Sequence, residues 1–247
     1  MNKTKQVAVH EVLRRFEQTV NDYVETLERV SLAQLLWKPA VDEWSLGQML
    51  MHLIQSAQGM QLVHVRHCLA VAGMYVTEAD YAKIAAEHTT RIANVPKTLQ
   101  GEALFQYGSF PAERIQVPPS PQYTPLQPDN KQQLINGLQE TVRQMVEVAP
   151  VVTDVRAQWL ARSAVNGWEI DSMDGEAIDT LEQSKSAYVE QHSESCAERA
   201  ELSLPTATHP RLGGLNAWEW FWLVEMHYRH HLHQQQRLED SWRQAHA

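Results

Sequence analysis

The stretch Glu225-Met226-His227-Tyr228-Arg229-His230-His231-Leu232-His233 holds four of the chain's twelve histidines. His227 and His231 are four residues apart, so on a helix their imidazoles share one face about one turn apart. Such a pair suits one transition-metal ion. A third ligand from another helix would close a facial site that keeps coordination positions open. The sequence offers His52 for that role, at the end of Trp44-Ser45-Leu46-Gly47-Gln48-Met49-Leu50-Met51-His52. Blander readings compete. Imidazoles are favourable near a helix C-terminus, and a single His on an apolar face is more often a hydrogen-bonded core residue than a ligand. His230 and His233 lie off the face shared by His227 and His231.

The elements that must carry these residues have matching starts. Ser45 with Gln48 three residues on, and Asn216 with Glu219, are both capping boxes. From the first, Leu46, Met49, Leu50, Leu53, Ile54, Ala57, Met60 and Val63 make a helical stripe running toward Ala72, with His52 about two turns in. From the second, Trp218, Trp220, Phe221, Leu223, Val224, Tyr228 and Leu232 make another, with His227 about three turns in and His231 about four. Two helices packed side by side would bring the three imidazoles together. On its own helix His52 has Gln48, Gln55 and Ser56 as polar neighbours, and a buried polar cluster has to be satisfied by something.

Two further helices complete the pattern. Residues 7 to 30 carry apolar side chains at three- and four-residue steps. A third stripe, Leu134, Leu138, Val142, Met145 and Val146, starts after Asp129 or Asn130. Pro150 is expected to end or kink it, with Val151 to Leu160 resuming. Between the first two helices, Pro39 marks a connection that Trp37 and Trp44 anchor. Residues 77 to 94 read as a short helix. Residues 95 to 129, with Pro111, Pro118, Pro119, Pro121, Pro125 and Pro128, read as a loop from which proline excludes helix, and a loop so long is often functional. Residues 165 to 205 are acidic and polar, with one helix expected near 176 to 199. His209 to Leu215 is a turn. The expected architecture is all-α: a four-helix bundle in a single domain spanning 1–247, with insertions near 77–100 and 160–205 and a Pro-rich loop at 107–129.

Composition narrows the function. A net charge of −9 with no basic run argues against nucleic acid or an anionic membrane as partner. No run approaches the roughly 18 apolar residues of a membrane span, and the opening Met1 to Gln6 leads into no apolar leader, so the expected location is cytoplasmic. Cys68 and Cys196 fit no zinc knuckle or redox pair, and Cys68 reads as a small buried hydrophobe. His64 and His67 lie three to four turns beyond His52 and read as surface or packing residues. His209, before Pro210, reads as a structural cap that could also sit at the site mouth. There is no Ser-His-Asp order, no Gly-rich phosphate loop and no Glu-x-x-His pair of the di-iron type.

The run Leu36-Trp37-Lys38-Pro39-Ala40-Val41-Asp42-Glu43-Trp44-Ser45-Leu46-Gly47-Gln48-Met49-Leu50-Met51-His52-Leu53 resembles the signature of DinB/YfiT-like proteins. The tail resembles it too, through His209-Pro210, Gly213, Leu215-Asn216, Glu219-Trp220, His227, His231 and Gln235. The resemblance implies a four-helix bundle, often a homodimer, holding a divalent metal on three histidines. The first ligand would be His52 and the closing His-x-x-x-His pair His227 and His231. Some relatives are thiol S-transferases using glutathione, mycothiol or bacillithiol, one is a mycothiol-dependent isomerase, and many have no known activity.

The chemistry that follows is activation of a low-molecular-weight thiol, as co-substrate, for attack on a small electrophile. A coordinated thiol loses its proton, and the thiolate is the nucleophile. Metal-dependent hydrolysis or isomerisation in the same site, or a non-catalytic metal-binding protein, are the rivals. Zinc, nickel, iron and copper all suit three imidazoles. Gln48, Gln55 and Gln235 are the candidates to orient the rings from behind.

Overall fold

The structure is a computed structural model that describes residues 7–72, 96–111, 124–165 and 204–247, with the side chains of 158–165 outside that description. The described elements, labelled in chain order, are α1 (Val9–Arg29), α2 (Leu32–Leu36), α3 (Leu46–Ser56), a π-helical turn (Ala57–Gln61), α4 (Leu62–Val71), α5 (Leu99–Tyr107), α6 (Lys131–Val165), β1 (Ala207–His209), β2 (Gly213–Leu215) and α7 (Ala217–Ala245). The expected all-α fold is what the chain adopts, with a two-stranded ribbon added. Four long helical units, namely α1, α3 continued through the π turn into α4, α6 and α7, pack on one another.

Each unit forms for the reason its pattern gives. On α1, Val9, Val12, Phe16, Val20, Tyr23 and Leu27 are buried, the three- and four-residue stripe of a helix that has a core on one side only. Tyr23 also donates a 2.7 Å hydrogen bond to the carbonyl of Tyr228, tying α1 to the helix that carries the histidine pair. Phe16 meets the Tyr228 ring edge-on at 4.9 Å. Helices α3 and α6 come close because position 137 is glycine: a Cβ there would sit 2.8 Å from Ile54 Cδ1. Gln58, in the π turn, donates to the Gly137 carbonyl at 2.8 Å and to Thr141 Oγ1 at 2.9 Å across the same seam.

Two expectations are corrected and a third is refined. Proline does not exclude helix throughout 95–129, because the prolines stop at 96 and resume at 111. Between them Thr98 caps α5 by accepting from the Gly101 N–H at 3.1 Å, and Gly108, at φ 64°, ends it. Of the two outcomes expected at Pro150, ending the helix is the one that fails, since α6 runs through it from Lys131 to Val165. Pro150 is on the exposed side, and Val146, whose carbonyl loses its usual donor, is itself 46% exposed, so water can serve it. Third, the turn expected at 209–215 is present at 210–212, and the residues on either side of it pair as a β-ribbon, Ala207 with Leu215 and His209 with Gly213. Lys97 bridges to Gly213, where a Cβ would run into the Pro96 carbonyl oxygen. The helices expected near 77–94 and 176–199 lie outside the described residues.

The described part of the Pro-rich stretch straps the start of α3. Ser45 Oγ donates to Gln127 Oε1 at 2.7 Å, Gln48 Nε2 donates to the Pro125 carbonyl at 2.7 Å, and Gln127 Nε2 donates to the Leu36 carbonyl at 3.1 Å.

Candidate metal centre

Both capping boxes form. Ser45 and Gln48 exchange side-chain–backbone bonds at 3.1 and 3.2 Å, and Asn216 and Glu219 do so at 3.0 Å in each direction. They fix where each helix begins and so the azimuth of every residue after it. On α7, Tyr228 points into the core against α1. Its neighbour His227, about 100° round the helix, therefore points toward α3.

His52, His227 and His231 converge. Their ring centroids are 5.0 Å apart for His52–His227, 5.4 Å for His52–His231 and 4.9 Å for His227–His231. One ligating nitrogen from each lies within 4.8 Å of the others. His52 Nε2 and His227 Nε2 are 3.2 Å apart. Two nitrogens bound at about 2.0–2.1 Å to one ion sit roughly 3.0–3.4 Å apart for angles between octahedral and tetrahedral. The three residues therefore fit a single transition-metal ion.

Behind each ring stands a side chain on Nδ1: Ser56 Oγ at 3.4 Å for His52, Gln61 Nε2 at 3.3 Å for His227 and Gln234 Oε1 at 2.7 Å for His231. These replace the expected set. Gln48 is spent on the capping box and Pro125, Gln55 is exposed, and Gln235 donates to Thr26 and Glu239. Ser56 is His52 plus four and Gln234 is His231 plus three, both same-face spacings open to a sequence reading. Gln61 had no such signal. Nine residues past His52 on an unbroken α-helix, it would point about 180° away; the π turn absorbs one extra residue and brings it to about 80°.

The site is partly desolvated, its three histidines being half-buried. Burial pushes His52 down to about 4. It pushes His231 down to about 3, helped by the nearby His52, and it pushes His227 well below the ordinary imidazole value, helped by His231 and His52. All three are neutral near pH 7, the form that ligates.

Two aromatic rings flank the cluster. Trp44, expected only as an anchor, has its ring 5.0 Å from His52. Phe110, which sequence reasoning missed, lies 6.3 Å from His227 and 5.2 Å from His230. Phe110 is held there through Arg229, which pairs with the fully buried Glu225 at 2.6 Å and donates to the Gly108 carbonyl at 2.6 Å.

The sequence matches the family profile described as the DinB superfamily over residues 15–235. The chain belongs to the DinB superfamily. No curated protein and no solved structure gives a significant match. The DinB match spans both helices of the histidine cluster, from the segment before Ser45 to Gln235.

The other singled-out residues have structural partners of their own. His209 accepts from the Arg211 and Leu212 N–H groups at Nδ1, both at 3.2 Å, and so caps the ribbon's turn. His64 packs on Trp220 with centroids 4.6 Å apart. Cys68 is buried, its thiol pushed up to about 12 by burial, and it donates to the Leu215 carbonyl. No described helix is long and apolar enough to cross a membrane.

Proposed function

We propose that this DinB-superfamily chain is a divalent-metal-dependent transferase that activates a low-molecular-weight thiol for attack on a small electrophile. The observation that carries the metal is the 3.2 Å approach of His52 Nε2 and His227 Nε2 with His231 alongside, each ring backed at Nδ1. Two neutral imidazoles have no reason to aim bare nitrogens at each other unless a proton or an ion lies between them. When bound, a divalent ion supplies Lewis acidity that makes a thiol or water a stronger nucleophile at neutral pH.

The chain's own residues do the rest. Burial keeps the three imidazoles uncharged near pH 7, so each ring has one nitrogen lone pair to offer an ion. The ligands and their backing side chains are all uncharged. An ion's double positive charge would thus go uncompensated by them, which favours an anionic group such as a thiolate in the open positions. Trp44 and Phe110 supply apolar faces beside the cluster, suited to the body of an organic electrophile, and they limit water.

The test is metal content by mass spectrometry on protein purified without a metal column, for wild type and His227→Ala. About one ion per chain in wild type, lost in the variant, supports the reading. A panel of glutathione, mycothiol and bacillithiol with electrophiles, run against simple esters and amides, then separates thiol transfer from hydrolysis. A wild type that takes up neither zinc nor nickel on reconstitution overturns the metal reading.

A further inference from the structure

We infer that Trp44 is the residue that selects the electrophile, and that the electrophile is a flat, electron-poor aromatic ring that stacks on its indole. This rests on the thiol-transfer reading above.

Trp44 stands one residue before the Ser45 cap of α3. An apolar side chain at that position commonly packs on the fourth residue of the helix, which here is Met49. Met49 is fully buried in the core, whereas Trp44 is half-buried and is not among the side chains packed against that core. Its ring lies instead on His52, three residues past Met49, with centroids 5.0 Å apart and planes tilted by 49°. Helical side chains lean toward the start of their helix, so His52 leans back to meet it. Phe110, beside His227, differs, because it packs against the core and its ring is committed there.

The backbone under Trp44 is set on both sides. The Glu43 N–H donates to the Ala40 carbonyl at 3.1 Å, and Ser45 Oγ donates to Gln127 Oε1 at 2.7 Å. The indole is therefore presented at a fixed place, with little ordering left to do on binding. It is the most electron-rich π face among the side chains, and offset stacking on it favours a flat partner, most of all an electron-poor one. A thiolate asks the same of its target, since it attacks electron-poor carbon. In the transfer the thiolate sulfur forms a bond to the ring carbon that carries a leaving group. That group departs as an anion with the electron pair of its broken bond, and the thiol's proton goes to solvent. Nothing is oxidised or reduced.

The experiment compares wild type, Trp44→Leu and Trp44→Phe, each reconstituted with zinc. Ligand-observed NMR measures binding of nitrobenzene and nitrocyclohexane, which carry the same substituent on a flat and a puckered ring and do not react with thiols. Wild type should prefer nitrobenzene by about tenfold. Trp44→Leu should bind the two within twofold of each other, and Trp44→Phe should keep part of the preference. Zinc affinity and circular dichroism should stay those of wild type in both variants. With the thiol that supports turnover in wild type, KM for chlorodinitrobenzene should rise about tenfold in Trp44→Leu with kcat little changed, while KM for iodoacetamide stays put. Equal affinity of wild type for the two rings, or a preference that survives in Trp44→Leu, overturns the inference. Weaker zinc binding in Trp44→Leu, with both nitro compounds weakened alike, makes Trp44 a buttress of His52 and overturns it as well. A wild type that takes up no zinc or turns over no electrophile sinks the thiol-transfer reading instead, and the nitro pair still decides the role of Trp44.

Discussion

Arg229 shows how a single residue outside the histidine cluster governs its surroundings. Glu225 is wholly buried, and a buried carboxylate without a counter-ion is strongly unfavourable. Arg229, one turn on, neutralises it at 2.6 Å and uses the same guanidinium to hold the Gly108 carbonyl at 2.6 Å. That bond fixes the end of α5, two residues before Phe110. Gly108 suits the position twice over: its φ of 64° favours glycine, and a Cβ would lie 2.8 Å from Trp222 Cζ2. Arg229→Ala should destabilise the protein by about 3 kcal/mol, because Glu225 is left buried and unpaired. Urea unfolding checks this, and Arg229→Ala with Glu225→Gln should recover much of the loss, since the orphaned charge is gone.

At the scale of elements, the strap over α3 and the ribbon before α7 fix the two starts on which the site depends. Gly47 lies under the strap, where a Cβ would be 2.8 Å from the Pro128 ring and 3.1 Å from the Leu35 carbonyl. By helix propensity alone Gly47→Ala would stabilise by about 1 kcal/mol. Steric displacement of the strap should reverse the sign, giving a net loss of about 1–2 kcal/mol in chemical denaturation. The ribbon's turn depends on neutral His209, held down to about 4 by burial and by Arg211. An unfolded His titrates near 6.5. The unfolded chain thus holds the extra proton between those values, and the contribution of His209 is complete above about 6.5 and lost as pH falls toward 4. His209→Ala should make the decline of stability between pH 6.5 and 4.5 shallower, by at most about 1.4 kcal/mol per pH unit, as read from denaturation midpoints at each pH. Legibility in the sequence follows the same division. Capping boxes, the i, i+4 histidine pair and the apolar stripes are local patterns, and they located α3, α7 and the three imidazoles. Gln61 and Phe110 were illegible because each depends on a break in local regularity: a π turn in one case, a tertiary hold on a glycine-terminated helix in the other. Gln48 misled for a related reason. Its position in the capping box was readable, but its carboxamide is fully occupied there and at Pro125.

For the whole molecule, the three imidazoles join two helices that are 175 residues apart in sequence at the His52–His227 contact. Helix α3 packs on α6 and α7, and α7 on α1, so the cluster sits where the four-helix core is closed from both ends of the chain. An ion bound there would bind the folded chain alone, since the unfolded chain does not hold His52 beside His227. Linkage then requires that it stabilise the fold, by about 2.7 kcal/mol at a free concentration one hundred times Kd. For a chain of this size that corresponds to a rise in Tm of about 5–10 °C. Zinc added to metal-free wild type should produce that rise, and chelator should reverse it. His231→Ala keeps the hydrophobic face of α7 intact and should melt close to metal-free wild type, yet gain little from zinc. A rise in His231→Ala as large as in wild type would place the bound zinc elsewhere, on exposed histidines such as His10 or His233, and would remove the cross-chain staple from the account of this fold.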